Sequence, residues 1–244
     1  MKVSVLGSSS KGNGYLLHSD NEALIIECGV RFAEVKKLLD YNTSIIAGCL
    51  VTHEHGDHSK YVSEYTDNGF PLIMSEGTLS VLKRVNDASI TTCKEKRMFN
   101  VGNFSIITFK LQHDCVEPFG YLIKHKDIGV LLFATDTYFL PHRFPNVNHM
   151  IIECNYRHDI LERNLQNGRL SSHLYKRTLY SHMSYATCVE TIKTSISSHL
   201  KTIMLIHLSD ANSSAEEFKI GIEKEFGIPT FVAEKGISIE LGLF

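Results

Sequence analysis

No apolar run in the sequence approaches the roughly 18 continuous residues that a membrane-spanning helix requires, so a membrane protein is not expected. Net charge is equally scarce. The 25 Lys and Arg nearly match the 27 Asp and Glu, for a formal charge of −2, which excludes a globally basic nucleic-acid coat and leaves only a local basic cleft. The six cysteines (Cys28, Cys49, Cys93, Cys115, Cys154, Cys188) are scattered without a CxxC pair. Reduced and mostly buried thiols are therefore expected, in an intracellular setting. The N-terminal run Met1–Gly7 turns polar at Ser8, too early for a signal-peptide core, and a cytoplasmic location is expected. Neither a linker, a low-complexity tract nor a short-period repeat breaks the chain, so residues 1–244 read as one domain.

What the sequence does have is histidine, 13 in all, set in a chain whose 43% hydrophobic content suffices for a sizeable core. Short β-rich segments alternate with helical ones. Lys2–Leu6, Tyr15–His18 and Ala23–Glu27 read as an opening meander, and Arg31–Leu39 carries apolar residues at helical spacing. Ile45–Thr52 reads as a strand and Lys60–Thr66 and Glu76–Arg84 as helices, followed by strands near Phe104–Phe109, Tyr121–Lys124, Val130–Thr135 and Met150–Glu153. The alternation continues with helices Tyr185–Leu200 and Ala215–Phe226 and strands Thr202–His207, Thr230–Val232 and Ile237–Leu241. An α/β fold is expected.

The densest chemistry lies in Thr52-His53-Glu54-His55-Gly56-Asp57-His58. In extended chain, residues two apart point to the same side, so His53 and His55 would present both imidazoles together. Gly56 is expected to permit a tight turn that brings Asp57 and His58 back to the same point. Four potential ligands in so short a span exceed what one catalytic ion takes from protein, because such a site keeps positions open for water. The spacing therefore suggests two neighbouring ions. Further donors stand at the ends of predicted strands: His113, Asp136 and His207. A carboxylate such as Asp136 can bridge two cations through its two oxygens.

The ordered set His53-x-His55-x-Asp57-His58, His113, Asp136 and His207 resembles the metallo-β-lactamase superfamily. That resemblance implies a four-layer αββα sandwich with metals at the sheet edges. It assigns His53, His55 and His113 to one ion and Asp57, His58 and His207 to the other, with Asp136 between them. The opening Gly7–Asn13 and Glu27-Cys28-Gly29 look like the first strands and turn of that fold. His113-Asp114-Cys115-x-x-Pro118-x-Gly120, Thr135-Asp136-Thr137, Glu153-x-Asn155-Tyr156, Ser181-His182-Met183-Ser184 and His207-Leu208-Ser209 resemble the YycJ/WalJ/VicX-type branch, over nearly the whole chain. The branch implies exonuclease-like action on DNA. It is similar to the β-CASP nucleases in its extra acidic and histidine motifs, without room for their inserted domain. Glu27 departs from the usual Asp of the pattern. Ser181 and Tyr185 stand where the branch usually has Gly and Asn.

Two ions a few Å apart would lower the pKa of a shared water toward neutrality and neutralise charge on a phosphodiester. The expected catalytic set is Asp57, His182, Glu153 and Ser184. In it His182 protonates the leaving group, Glu153 orients His182 and raises its pKa, and Ser184 bonds a phosphate oxygen. Ser184 can equally serve as an N-cap for the helix that follows. His and Asp donors without Cys suit Zn or Mn, with Fe or Co also fitting. The expected partner is nucleic acid, DNA before RNA. Two basic stretches, one through Lys83, Arg84, Lys94, Lys96 and Arg97 and one through Arg163, Arg169, Lys176 and Arg177, could border the cleft. His125, His142, His149, His158, His173 and His199 read as surface or structural. Hydrolysis of a small phosphodiester, a thioester or a lactam, and a non-catalytic nucleic-acid-binding role, are the competing readings.

Overall fold

Strand alternation in β1 (Lys2–Gly7) sends Val3 and Val5 into one apolar cluster and Leu6 into another, so this strand has a buried face on each side. β2 (Gly14–His18) and β3 (Ala23–Ile26) continue the meander antiparallel, with Leu17 opposite Leu24. β4 (Ile46–Leu50), β5 (Leu72–Ser75) and β6 (Ile90–Cys93) then add in parallel. The computed structural model describes residues 1–82 and 87–243; Lys83 and Arg84 of the first basic stretch lie outside the described residues.

A second sheet begins with the antiparallel strands β7 (Met98–Val101), β8 (Phe104–Lys110), β9 (Phe119–His125) and β10 (Gly129–Ala134). The parallel strands β11 (His149–Glu153), β12 (Thr202–Ile206) and β13 (Thr230–Val232) complete it. β14 (Ser238–Glu240) returns to pair with β1, so each sheet has seven strands among the described residues.

The inner faces of the two sheets share one core, in which Tyr15 meets Phe133 edge-on at 5.3 Å between centroids. Outside the first sheet lie α1 (Phe32–Leu38), α2 (Gly56–Ser59), α3 (Val62–Asp67) and α4 (Glu76–Val81), with Phe32, Val35, Val62 and Tyr65 packed on its outer face. Outside the second lie α7 (Tyr185–Ser195) and α8 (Ala215–Phe226), contributing Cys188, Ile192, Phe218 and Ile222. The result is the expected four-layer αββα sandwich. The six cysteines are free thiols, and all but Cys115 are buried. No helix of the described residues is long and apolar enough to cross a membrane.

Two helices depart from the sequence reading, which saw only a basic stretch across them: α5 (His158–Gln166) and α6 (Ser172–Ser181). They pack on a small satellite of Tyr156, Leu161 and Leu170 rather than on the main core, so few apolar positions betray their period. Ser171 starts α6 by accepting a hydrogen bond from Leu174 N–H, the one local signal for it. β6 and β7 were also absent from the reading, because Thr91, Thr92, Met98 and Asn100 leave them polar or exposed. Of the histidines read as surface or structural, His125 and His149 are buried.

The strands β8, β10, β11 and β12 run in one direction, so their C-terminal ends open on a single edge of the sandwich, the usual place for a site in such sheets. β9 ties that edge to the first sheet, since Phe119 N–H donates to Thr52 O at 3.0 Å and Tyr121 Oη–H to Val51 O at 2.6 Å. Replacing Phe133 by alanine in the shared core is expected to cost about 3–5 kcal/mol. Urea unfolding checks this, and a loss below about 1 kcal/mol would mean that the sheets do not depend on this packing.

Candidate metal centre

β4 ends at Leu50, and within three residues the chain places His53 in the fully buried interior of the site. The extended segment does put His53 and His55 on one side, with ring centroids 4.7 Å apart. Gly56 is not the hinge expected of it. It opens α2 without positive φ, and a Cβ there would meet open space. The close approach falls instead on Gly29, where a Cβ would stand 1.7 Å from Asp57 O. Around that contact, Asn13 N–H donates to Asp57 O and Cys28 N–H to His58 O, which clamps the ligand-bearing turn to the loop after β3.

All seven candidate metal ligands meet at this edge. One group is His53, His55, His113 and Asp136; a second is Asp57, His58, Asp136 and His207; each has its donor atoms within 4.8 Å of one another. Asp136 belongs to both. Its Oδ2 lies 3.4 Å from His113 Nε2, and its Oδ1 lies 3.2 Å from His58 Nε2 and 3.5 Å from His207 Nδ1. A third group joins Asp136 and His207 to Glu153 and His182.

Hydrogen bonds fix which ring nitrogen faces inward. Thr52 Oγ1–H donates to Glu27 Oε1 at 2.5 Å, so it accepts from His53 Nδ1 at 2.9 Å and leaves the Nε2 lone pair of His53 free. That atom is buried, 4.0 Å from Asp136 Oδ2, and has no hydrogen-bond partner among the described residues. Buried polar atoms seldom remain so. His113 Nδ1–H donates to Ser181 O at 2.7 Å, which turns Nε2 toward His55 Nδ1, 3.1 Å away. Two ring nitrogens at that distance fit a cation between them, and the donor set as a whole fits one or more divalent ions.

Electrostatics divides the site. Burial and the neighbouring His58 push His53 well below its ordinary pKa, and burial also lowers His113, so both are neutral imidazoles. For His58, burial is outweighed by Asp136 and Glu27, which hold it well above the ordinary value. Burial likewise opposes but does not prevent a rise of His207 to about 10, driven by Asp136, Asp57 and Glu153. The carboxyls of Asp57 and Asp136 resist burial and stay well below the usual range because His207 and His58 face them.

The acid–histidine pair is also in place. His182 Nδ1 bonds Glu153 Oε1 at 2.6 Å, and Glu153 Oε1 also lies 3.1 Å from His207 Nδ1. Burial works against the charge on His182, yet Glu153 raises its pKa. Ser184 is the N-cap of α7, accepting from Thr187 N–H at 3.1 Å, so its hydroxyl serves the helix. Glu27, one methylene longer than the pattern, still reaches Thr52 and lies 3.3 Å from His58 Nδ1. Ser181 meets His113 through its backbone carbonyl, and Tyr185 packs on Phe218 at 4.8 Å, away from the ligands. Of the basic residues, Arg177 reaches the site, but its charge is engaged by Asp114 at 2.7 Å. The contributions of Thr52, Asn13 and the Ser181 carbonyl were not visible in the sequence, because backbone and hydroxyl groups carry no family-free signal.

No protein-family model matches the chain. Over 170 residues it is 28% identical to exodeoxyribonuclease YycJ of Bacillus anthracis, a match covering 64% of this chain and 63% of that protein. The match thus spans less than two thirds of the relative's length. Among solved structures it superposes on the metallo-β-lactamase fold protein YhfI from Bacillus subtilis with a TM-score of 0.76 at 18% identity, covering 98% of this chain and 99% of the other. Zn²⁺-bound PqqB from Methylobacterium extorquens gives 0.73 at 13% identity, with 99% and 100% covered. The fold is that of the metallo-β-lactamases, and the likeness to the YycJ/WalJ branch holds.

Because His58 and His207 carry protons in the ion-free protein, metal binding must expel them. Affinity for Zn²⁺ is expected to rise with pH until His207 titrates near 10. Calorimetry in buffers of differing ionisation enthalpy should report roughly two protons released at neutral pH; release of none would refute the charge assignment.

Proposed function

We propose that the chain, acting as one domain over residues 1–244, is a cytoplasmic metal-dependent phosphodiesterase of the nuclease kind, with DNA as its substrate and two divalent ions as its cofactors. His53, His55 and His113 would hold one ion; Asp57, His58 and His207 would hold the other; Asp136 would stand between them. Zn or Mn suits these nitrogen and oxygen donors. When bound, such ions supply activation of water and neutralisation of phosphate charge.

The observation that carries the reading is the Glu153–His182 pair, 2.6 Å long and set against His207 at the edge of the ligand cluster. Hydrolysis of a phosphodiester breaks a P–O bond and expels an alkoxide that needs a proton. Glu153 holds Nδ1 of His182 and favours the charged ring, so Nε2 is the nitrogen that can present a proton to the leaving oxygen. Glu153 also accepts from Met183 N–H at 3.0 Å and Thr137 N–H at 2.8 Å, which fixes its carboxylate and hence the ring it orients. The name of the relative, an exodeoxyribonuclease, supports DNA over a small phosphodiester. Asp57, 19% exposed at its side chain, is a ligand open to a bound substrate.

The test is nucleotide release from single- and double-stranded DNA and RNA by Zn- or Mn-loaded protein, run beside bis-p-nitrophenyl phosphate and nitrocefin. His182→Ala is expected to keep its metal content and lose phosphodiesterase activity by about 10²–10⁴-fold. Unchanged turnover in that variant, or nitrocefin as the only substrate cleaved, would reject the reading.

A further inference from the structure

Segments next to the candidate ligands carry exposed aromatic and apolar side chains. Tyr180 is 73% exposed and immediately precedes Ser181, whose carbonyl holds His113. Tyr138 is 37% exposed, lies two residues beyond Asp136, and donates its backbone N–H to Gln112 O beside His113. Val116 is 59% exposed, and its N–H donates to the Glu54 carboxylate between His53 and His55. On α6, Arg177 precedes Tyr180 by three residues, so the two share a face, and Arg177 is pinned to Asp114 next to His113. Tyr138, Tyr180 and Val116 thus flank the segments that hold the ligands, and the Arg177 charge among them is neutralised by Asp114.

We infer that Tyr138 and Tyr180 form a base-stacking platform for unpaired nucleotides next to the scissile phosphate, so that the substrate strand enters single-stranded. This deepens, and rests on, the nuclease reading. Aromatic rings accept every base because each base has a π-face, and a duplex hides those faces. A phosphate-tracking groove would instead need free Lys or Arg, and Arg177 is held by Asp114. Discrimination at these two rings comes from base faces.

The platform is tested with two 5′-fluorescein 12-mers on a cleavage-resistant phosphorothioate backbone, one all-thymidine and one abasic throughout. Binding of metal-loaded protein is followed by anisotropy. Wild type is expected to bind the thymidine strand more tightly than the abasic one. Tyr180→Ala and Tyr138→Ala should each weaken thymidine-strand binding by roughly 5- to 150-fold and shrink the ratio between the two strands. Tyr180→Trp should restore it. Equal wild-type affinity for the two strands, or alanine variants that bind the thymidine strand like wild type, would overturn the platform. Bis-p-nitrophenyl phosphate turnover by wild type separates the two ideas. Stacking without any such turnover sinks the nuclease reading, whereas turnover without base-dependent binding sinks the platform alone.

Discussion

One buried carboxylate holds the site together. Asp136 is 2% exposed and ionised, a combination that costs several kcal/mol unless the charge is compensated. The compensation comes from His58 and His207, which lie 3.2 and 3.5 Å from Oδ1, while the neutral His113 ring approaches Oδ2. Remove Asp136, and the raised imidazoles of His58 and His207 lose a counter-charge that they share. The need for that carboxylate explains why ligands from β4, β8, β10 and β12 must end at one edge.

Holding it there strains the backbone. Asp136 has φ 41, His207 φ 54 and Glu27 φ 74, all in the region where a Cβ is disfavoured. Such residues cluster where the surrounding structure over-determines them. Here the surroundings are two rigid sheets and the bonds of β9 to Val51 and Thr52, while Gly29 lets the turn of Asp57 lie against the loop after β3. Glu27 serves two histidines at once, His53 through Thr52 and His58 directly, so its strained backbone and its extra methylene belong to the same task.

Much of this was legible beforehand. Ligand positions announce themselves because imidazoles and carboxylates at strand ends have few other uses in such density, and the alternating strands set the sandwich. The satellite helices α5 and α6 were not legible, since their apolar content serves only a small local cluster. Nor was the role of Gly29, which depends on the approach of a segment 28 residues away, nor the misplaced hinge at Gly56. The orienting groups, Thr52 and the Ser181 carbonyl, act through atoms common to many residues, so only their placement reveals them.

The account stands on Asp136 joining two cation sites. Metal counting by plasma mass spectrometry on Zn-reconstituted protein, with native mass spectrometry for ions per chain, addresses that directly. Two ions are expected in the wild type, and Asp136→Ala should lose at least one of them while remaining folded. A wild type that saturates at a single ion, or an Asp136→Ala protein that still holds both, would contradict it.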